Sequence, residues 1–382
     1  MLDAGDRAAC AVPGKLACLS CLTQLDSLQI IGVASDSAAG HLTAALAPLT
    51  RLARLTLTFD DDYESTEGHD PVFPWQDAVS GLTNLQELCV MSEVDWGCVD
   101  MFKGALPAGL SQLTALRRLT VLGMDELDAH DESDQLQLAA LPALETVALR
   151  LRSVSGIYPG FPDQQQVIMS RLVSLSLALR RNRSCLGFGS EPYEGTYLPT
   201  IVAPALTELI LDDIMLAPDS EQLSWLPGLP ALQRLVLQDL KTGASQLPQG
   251  VAACSSLTEL VLRRVHVSMQ PGVDGLVDVA QCGLRSLPAA GPYVSKLVHL
   301  NLANNAFRSV PPCLAAATAL ETLNLCMQQL QPYHEIRVHV PVLGLHVLDN
   351  LARFRWINLE GFKKSAAGIR RLKKTHRNVT VV

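Results

Sequence analysis

Aromatic side chains are scarce in this chain, with Phe, Tyr and Trp together making up 5% of 382 residues. Basic residues are fewer than acidic ones, 30 against 38, and the net charge of −8 argues against nucleic acid as the main partner. No apolar run approaches the roughly 20 residues that cross a bilayer as a helix, so no membrane span is expected. Residues Met1 to Cys21 contain no charged stretch followed by an apolar one, so no secretory signal is expected. The strings that mark phosphate-binding loops, dinucleotide folds, zinc peptidases and serine hydrolases are missing too. No catalytic residue, cofactor or metal site is therefore expected. The 48% apolar content excludes a disordered chain.

Ten cysteines are present, spread from Cys10 to Cys326 with no export signal beside them. In a reducing compartment such residues serve as small core side chains or free thiols. Cys18-Leu-Ser-Cys21 has the C-x-x-C spacing of redox and zinc sites, but Cys10 and His41, the nearest further ligands, stand at no known spacing. His334, His339 and His346 form the closest histidine group, within an irregular segment. Ordinary thiols and a solvated linker are the simpler expectation. The location expected is cytoplasmic.

What the chain does have is one spacing, repeated. Apolar residues recur at relative positions 1, 4, 7 and 9, as at Leu49, Leu52, Leu55 and Leu57, or Leu82, Leu85, Leu88 and Val90. Twelve such quartets follow in series, from Leu22–Ile30 to Leu351–Leu359, with a degenerate one at Val277 and Val279. Positions 7 and 9 alternate as in a short strand with two inward side chains, and positions 1 and 4 occupy the turn before it. A single coil cannot bury its own apolar edge, whereas a stack of a dozen builds a continuous core.

The spacing resembles the leucine-rich-repeat family over nearly the whole chain. The best single match is Leu297-Val-His-Leu300-Asn-Leu302-Ala-Asn-Asn305-Ala-Phe307-Arg-Ser-Val310-Pro311, in which Asn305 takes the family's ladder position and its amide is expected to bond backbone groups of adjacent coils. Leu106-Pro107-Ala-Gly-Leu110-Ser-Gln-Leu113 matches the family's convex-side phase. Val33, Val94, Met124, Ile214, Leu240 and Val265 sit near the ladder position elsewhere and cannot make those bonds, so an irregular, helix-richer array is expected. The resemblance implies an α/β fold, a right-handed solenoid or horseshoe with short parallel strands on the concave face and helices and loops on the convex face. On this reading residues 1–15 are a lead-in and 16–364 are the array of about 12 or 13 repeats with acidic insertions in 60–134. Residues 365–382 are a cap, with an amphipathic helix carrying Ile369 and Leu372 followed by a strand at Val379–Val382.

The family's function is binding. The resemblance implies a non-catalytic recognition or scaffold protein, a monomer that holds another protein on its concave face. The settings it suggests are signalling, defence, and a cytoskeletal or ciliary-axoneme assembly. The alternatives are a regulator of a small GTPase and a substrate adaptor of a ubiquitin ligase. The strand phase directs Arg150, Glu208, Asp212, Arg234, Gln238, Glu259, Arg263, Arg264, His299, Asn301 and Asn324 outward, as the candidate partner-binding residues. Glu208, Arg234 and Glu259 share one phase on neighbouring strands, so mutual pairing competes with a ligand. The first coils present Thr56, Thr58, Cys89, Met91, Thr120 and Leu122 instead.

Charge is unevenly distributed. Between Asp60 and Asp134 there are 17 acidic residues against three basic ones, including Asp60, Asp61, Asp62, Glu64, Asp125, Glu126, Asp128 and Asp131. Loops leaving stacked coils at one point stack on one edge, so an acidic rim is expected there, either keeping long loops soluble or steering a basic partner. Residues 351–382 carry nine basic residues against Glu360, without the interleaved aromatics that an RNA contact would use.

Overall fold

The computed structural model describes residues 18–33, 38–59, 79–92, 110–126, 141–153, 166–179, 200–212, 214–216, 223–238, 241–242, 249–267, 282–284, 286–288, 291–326, 328, 343–362 and 366–382. The degenerate repeat at Val277 and Val279 lies outside them. The chain divides into two compact units, the first comprising Met1–Tyr193 with Ile201–Ala203 and the second Glu194–Thr200 with Pro204–Val382.

In the first unit, β1 (Ser27–Val33), β2 (Arg54–Phe59), β3 (Glu87–Ser92), β4 (Arg118–Glu126), β5 (Thr146–Ser153) and β7 (Ser174–Leu179) pair in chain order, every pair parallel. Strand β6 (Gln166–Ile168) pairs separately with β8 (Thr200–Val202). In the second unit, β9 (Glu208–Asp212), β11 (Arg234–Gln238), β13 (Glu259–Arg263), β16 (His299–Asn301), β17 (Thr322–Asn324), β18 (Trp356–Asn358) and β19 (Thr380–Val381) form a second all-parallel ladder. A small sheet joins β10 (Met215–Leu216), β12 (Lys241–Thr242) and β14 (His266–Val267) in parallel, with β15 (Cys282–Gly283) antiparallel on β14.

The register follows the repeat. Leu28, Leu55, Leu88, Leu119, Val147 and Leu175 stand opposite one another through the first ladder, as do Leu209, Leu235, Leu260, Leu300, Leu323 and Ile357 through the second. All twelve are buried, and each contributes about 1.5–3 kcal/mol through removal from water. Slipping one strand by a residue would exchange this column for its polar neighbours, so burial itself sets the register.

Before several strands of the two ladders the chain makes two successive three-residue turns. Leu49 N–H donates to the Leu46 carbonyl and Leu52 N–H to the Leu49 carbonyl, both at 2.9 Å, and the same pair of bonds recurs at Val79–Leu85 and Leu110–Leu116. Such i→i+3 bonding places every third side chain in line, so the leucines at positions 1 and 4 share a column with a residue three before them. That residue is fully buried at Leu46, Val79, Leu110, Leu226, Val251, Leu314 and Leu348. The first coil departs from the pattern, since its position-1 residue, Leu22, is 44% exposed. Between coils one carbonyl serves two donors: Ala53 O accepts from Gln86 N at 2.8 Å and Glu87 N at 3.0 Å, and Thr207, Gln233, Thr258 and Val298 do likewise in the second unit.

Among the described residues the connectors contain few helices. These are α1 (Ala38–Leu46), the single turns α2 (Gln249–Ala252) and α3 (Tyr293–Lys296), and α4 (Ala366–Thr375) near the C-terminus. Short 3₁₀ turns stand at Cys18–Cys21, Leu110–Gln112, Leu226–Gly228, Pro312–Ala316 and Leu345–Leu348, where the leucine spacing of three favours i→i+3 bonding over α-helical bonding.

Asn305 is fully buried. Its Nδ2 donates to Leu262 O at 2.6 Å, Leu302 O at 3.0 Å and Ala303 O at 3.2 Å, while its Oδ1 accepts from Val265 N at 3.1 Å. Gln328 holds the equivalent place one coil later, donating to Leu302 O at 2.8 Å and Leu325 O at 3.0 Å and accepting from Phe307 N at 2.9 Å. A carboxamide one methylene longer thus extends the ladder, a role that the asparagine pattern alone does not reveal. Where the ladder position is apolar, as at Ile214 and Val265, the side chain is buried in the core instead.

Cys21, Cys89, Cys254, Cys313 and Cys326 are free thiols. Cys254 occupies position 1 of its coil, donates to Gly250 O at 3.3 Å, and is pushed up to about 11 by burial. Its thiol is protonated at neutral pH and becomes a stability liability only above the ordinary thiol range. Raising the pH from 9 towards 11 lets the unfolded chain ionise while the folded one cannot, so roughly 2 kcal/mol of stability is expected to be lost across that window. Comparing denaturation at both pH values for the native chain and Cys254→Ala tests this. The variant should show a shallower decline.

Candidate interaction surface

The outward residues of the second ladder form three rows at positions 6, 8 and 10, placed side by side by the register. The first row runs Glu208, Arg234, Glu259, His299, Thr322 and Trp356. Arg234 bridges the two glutamates: its Nη1 binds Glu208 and its Nε lies 3.0 Å from Glu259 Oε1. Hydrogen bonds donated to Glu259 and then to Glu208 push the guanidinium further above its ordinary range. With the Arg234 side chain 40% exposed, these pairs contribute little to stability, but they consume its charge within the row. His299 Nδ1 lies 2.8 Å from Thr322 Oγ1 in the next pair.

The middle row changes chemistry halfway along. Ile210, Val236 and Val261 stand on β9, β11 and β13, and Asn301, Asn324 and Asn358 continue the row on β16, β17 and β18. Each asparagine Oδ1 accepts from the backbone N–H two residues on: Ala303 at 3.0 Å, Cys326 at 3.0 Å and Glu360 at 2.9 Å. This local bond satisfies a donor that would otherwise enter the ladder. It accounts for the three-residue length of β16, β17 and β18 against the five of β9, β11 and β13. The carbonyl ends of Asn301 and Asn324 therefore serve the fold, which leaves only their amide nitrogens for a ligand.

The third row holds Asp212, Gln238 and Arg263, with Arg263 exposed. Arg264 lies one step beyond, at the turn, with φ 51° and its N–H 3.4 Å from Ala303 O. Asn304 takes the same left-handed turn position after β16, the neighbouring strand of the ladder, with φ 57°. This geometry suits asparagine and strains arginine. Arg264 therefore belongs to the turn, beside the strand face.

In the first unit Thr56, Cys89 and Thr120 are adjacent in one row and Thr58, Met91 and Leu122 in the next. Thr58 is buried, at 4% exposure. Glu87 and Arg118 pair at 2.8 Å between neighbouring strands, and Arg117 and Glu145 at 3.5 Å. These cross-strand pairs were discernible from the register, once charged residues of opposite sign at equal phase are sought. Arg150 lies on β5 opposite Leu122 and Ala178. Of the acidic rim, Asp125 and Glu126 are on the last residues of β4, while Asp60, Asp61, Asp62, Glu64, Asp128 and Asp131 lie outside the described residues. Cys18 and Cys21 begin and end one 3₁₀ turn, with Cys21 exposed, and His334 and His339 lie outside the described residues. Among the described residues, no group of three His, Cys, Asp or Glu side chains is placed to hold a metal ion. No helix among them is long and apolar enough to cross a membrane.

Parallel strands in chain order, inward leucines at fixed phase, three-residue turns and a buried carboxamide ladder define a leucine-rich-repeat solenoid. An internalin from Listeria monocytogenes is similar at 15% identity over 95% of this chain and 88% of that one, with a TM-score of 0.50. A leucine-rich-repeat protein of Leptospira interrogans (16% identity, 95% and 91% covered, TM-score 0.39) and the leucine-rich-repeat domain of APL1B (16%, 97% and 92%, 0.46) are also similar. At these identities the likeness is one of fold. No family model and no curated protein matches the sequence.

Proposed function

We propose that this chain is a non-catalytic recognition or scaffold protein that binds a protein partner on the outward strand face of its repeats. The observation that carries this reading is the middle row of the second ladder. The half-buried Ile210 and Val261 flank Val236, which is itself covered at 8% exposure, and this strip runs directly into the amide row of Asn301, Asn324 and Asn358, with the exposed Arg263 alongside. An apolar strip beside oriented donors and a cation is the composition of a protein-binding face. The internal neutralisation of Arg234 removes it from the residues expected to bind directly and leaves Arg263 as the charged contact. Signalling, defence, and cytoskeletal or ciliary assembly are the settings the reading fits.

The test is affinity capture from source lysate with the native chain and with Val261→Lys/Arg263→Glu, both half- or fully exposed positions. A Lys296→Glu chain, altered at the exposed end of α3 in a connector, serves as the control. The expected result is a partner retained by the native and control chains and lost by the face variant. Equal capture by all three would remove the strand face from the reading.

A further inference from the structure

Helix α4 has two faces of opposite character. Leu372, 1% exposed, and the half-buried Ile369 lie on one. His376 follows at the helix end, with its Nε2 2.8 Å from Leu348 O and its ring edge-on to Phe354 at 5.7 Å between centroids. The opposite face carries Arg370, Lys373, Lys374 and, just past the helix end, Arg377. These positions are spaced i, i+3, i+4 and i+7, and all four side chains are exposed. Arg371, between the faces, is held by Asp349, and Arg355 by Glu321. No acidic side chain among the described residues pairs with Arg370, Lys373, Lys374 or Arg377. The surrounding sequence sharpens the contrast, because residues 351–382 carry +8 in a chain of −8, so residues 1–350 carry −16.

We propose that this basic face docks an acidic polypeptide segment of a protein partner, with glutamates and aspartates at helical spacing, as a second surface independent of the strand face. Three observations favour a polypeptide over other anions. Single-stranded nucleic acid is held by stacking on aromatic side chains, and this face has none, since Phe362 is buried and no Trp or Tyr follows Trp356. A helix that lies on a lipid surface keeps an apolar face free to enter it, whereas Leu372 and His376 are already buried against the protein. The four basic residues fall within eight residues of chain, Arg370 to Arg377, so a short acidic segment covers the whole patch. Opposed charges at i, i+3 and i+4 spacing are the arrangement by which helices pair along their flanks.

The test is fluorescence anisotropy of a short labelled glutamate-rich peptide with the full chain at low and physiological salt. A single-stranded RNA of equal charge and phosphatidylserine vesicles are run in parallel. The peptide is expected to bind, more weakly as salt rises. Arg370→Glu/Lys373→Glu/Lys374→Glu/Arg377→Glu is expected to lose about tenfold or more in affinity. Arg370→Lys/Arg377→Lys should retain binding, because charge rather than guanidinium geometry carries it. Should the fourfold variant lose its circular dichroism signature, Lys373→Glu/Lys374→Glu makes the same measurement at two exposed positions. Arg263→Glu should leave peptide affinity unchanged, so failure here is separable from failure of the strand-face reading. An unchanged affinity in the charge-reversed chains would overturn the proposal. So would tighter binding of RNA or vesicles than of peptide, or salt-dependent self-association that makes a second copy the occupant.

Discussion

Asn305→Ala is expected to lower the unfolding free energy by about 3–5 kcal/mol, among the largest losses any single substitution in the second unit can produce. The side chain is fully buried and makes four hydrogen bonds, two to β13's coil and two within its own. Alanine leaves the Val265 N–H and the Leu262 carbonyl without that partner in a buried site, and a buried orphan costs about 1–3 kcal/mol. Leu302 O keeps a bond from Gln328 and Ala303 O one from the Arg264 N–H, so the losses are not simply additive. Asn305→Leu separates hydrogen bonding from volume, because it refills the space and restores no bond. It should be destabilised nearly as much. Gln328→Ala, at a half-buried site, should cost about 1–3 kcal/mol. Urea denaturation of the three variants measures these values. A loss near zero for Asn305→Ala would mean that the amide is not a fixed part of the core. Because coils touch only their neighbours, hydrogen exchange should show the damage concentrated between β13 and β17.

The second large effect is a contrast within one motif. Leu260→Ala is expected to cost about 3–4 kcal/mol, whereas Leu22→Ala should stay within about 0.5 kcal/mol. Leu260 is fully buried in the middle of its ladder, between Leu235 and Leu300, and truncation opens a cavity that fixed neighbours on both sides cannot close. Leu22 satisfies the same sequence pattern at the first coil but is 44% exposed, so little area is lost on truncation. Equal losses at the two sites would imply that Leu22 is covered in the folded protein. Chemical denaturation of both variants decides the matter.

The comparison shows how far the pattern reaches. The quartet spacing correctly placed the strands because positions 7 and 9 must both be buried and only a two-residue period achieves that. It placed the turns because a spacing of three aligns side chains under i→i+3 bonding. It overreached at Leu22, where burial depends on a neighbour that a repeat pattern cannot supply. It does not reveal Gln328, since the family pattern specifies asparagine, whereas the structure requires only an amide able to reach two coils. Asn301 and Asn324 were legible as outward residues. That half of each amide is committed to ending its own strand could be known only from the backbone around it.

The chain's amino-acid order alone determined the leucine-rich-repeat fold, the strand phase, the outward set of side chains and the concentration of positive charge at its end, because these follow from periodicity and composition. Tertiary structure decided which outward charges neutralise one another. Glu208, Arg234 and Glu259 are 26 and 25 residues apart and meet only because the ladder sets them in register. It likewise decided that the apolar face of α4 is buried and its basic face exposed. A helical pattern specifies two faces, and only packing selects which of them meets water.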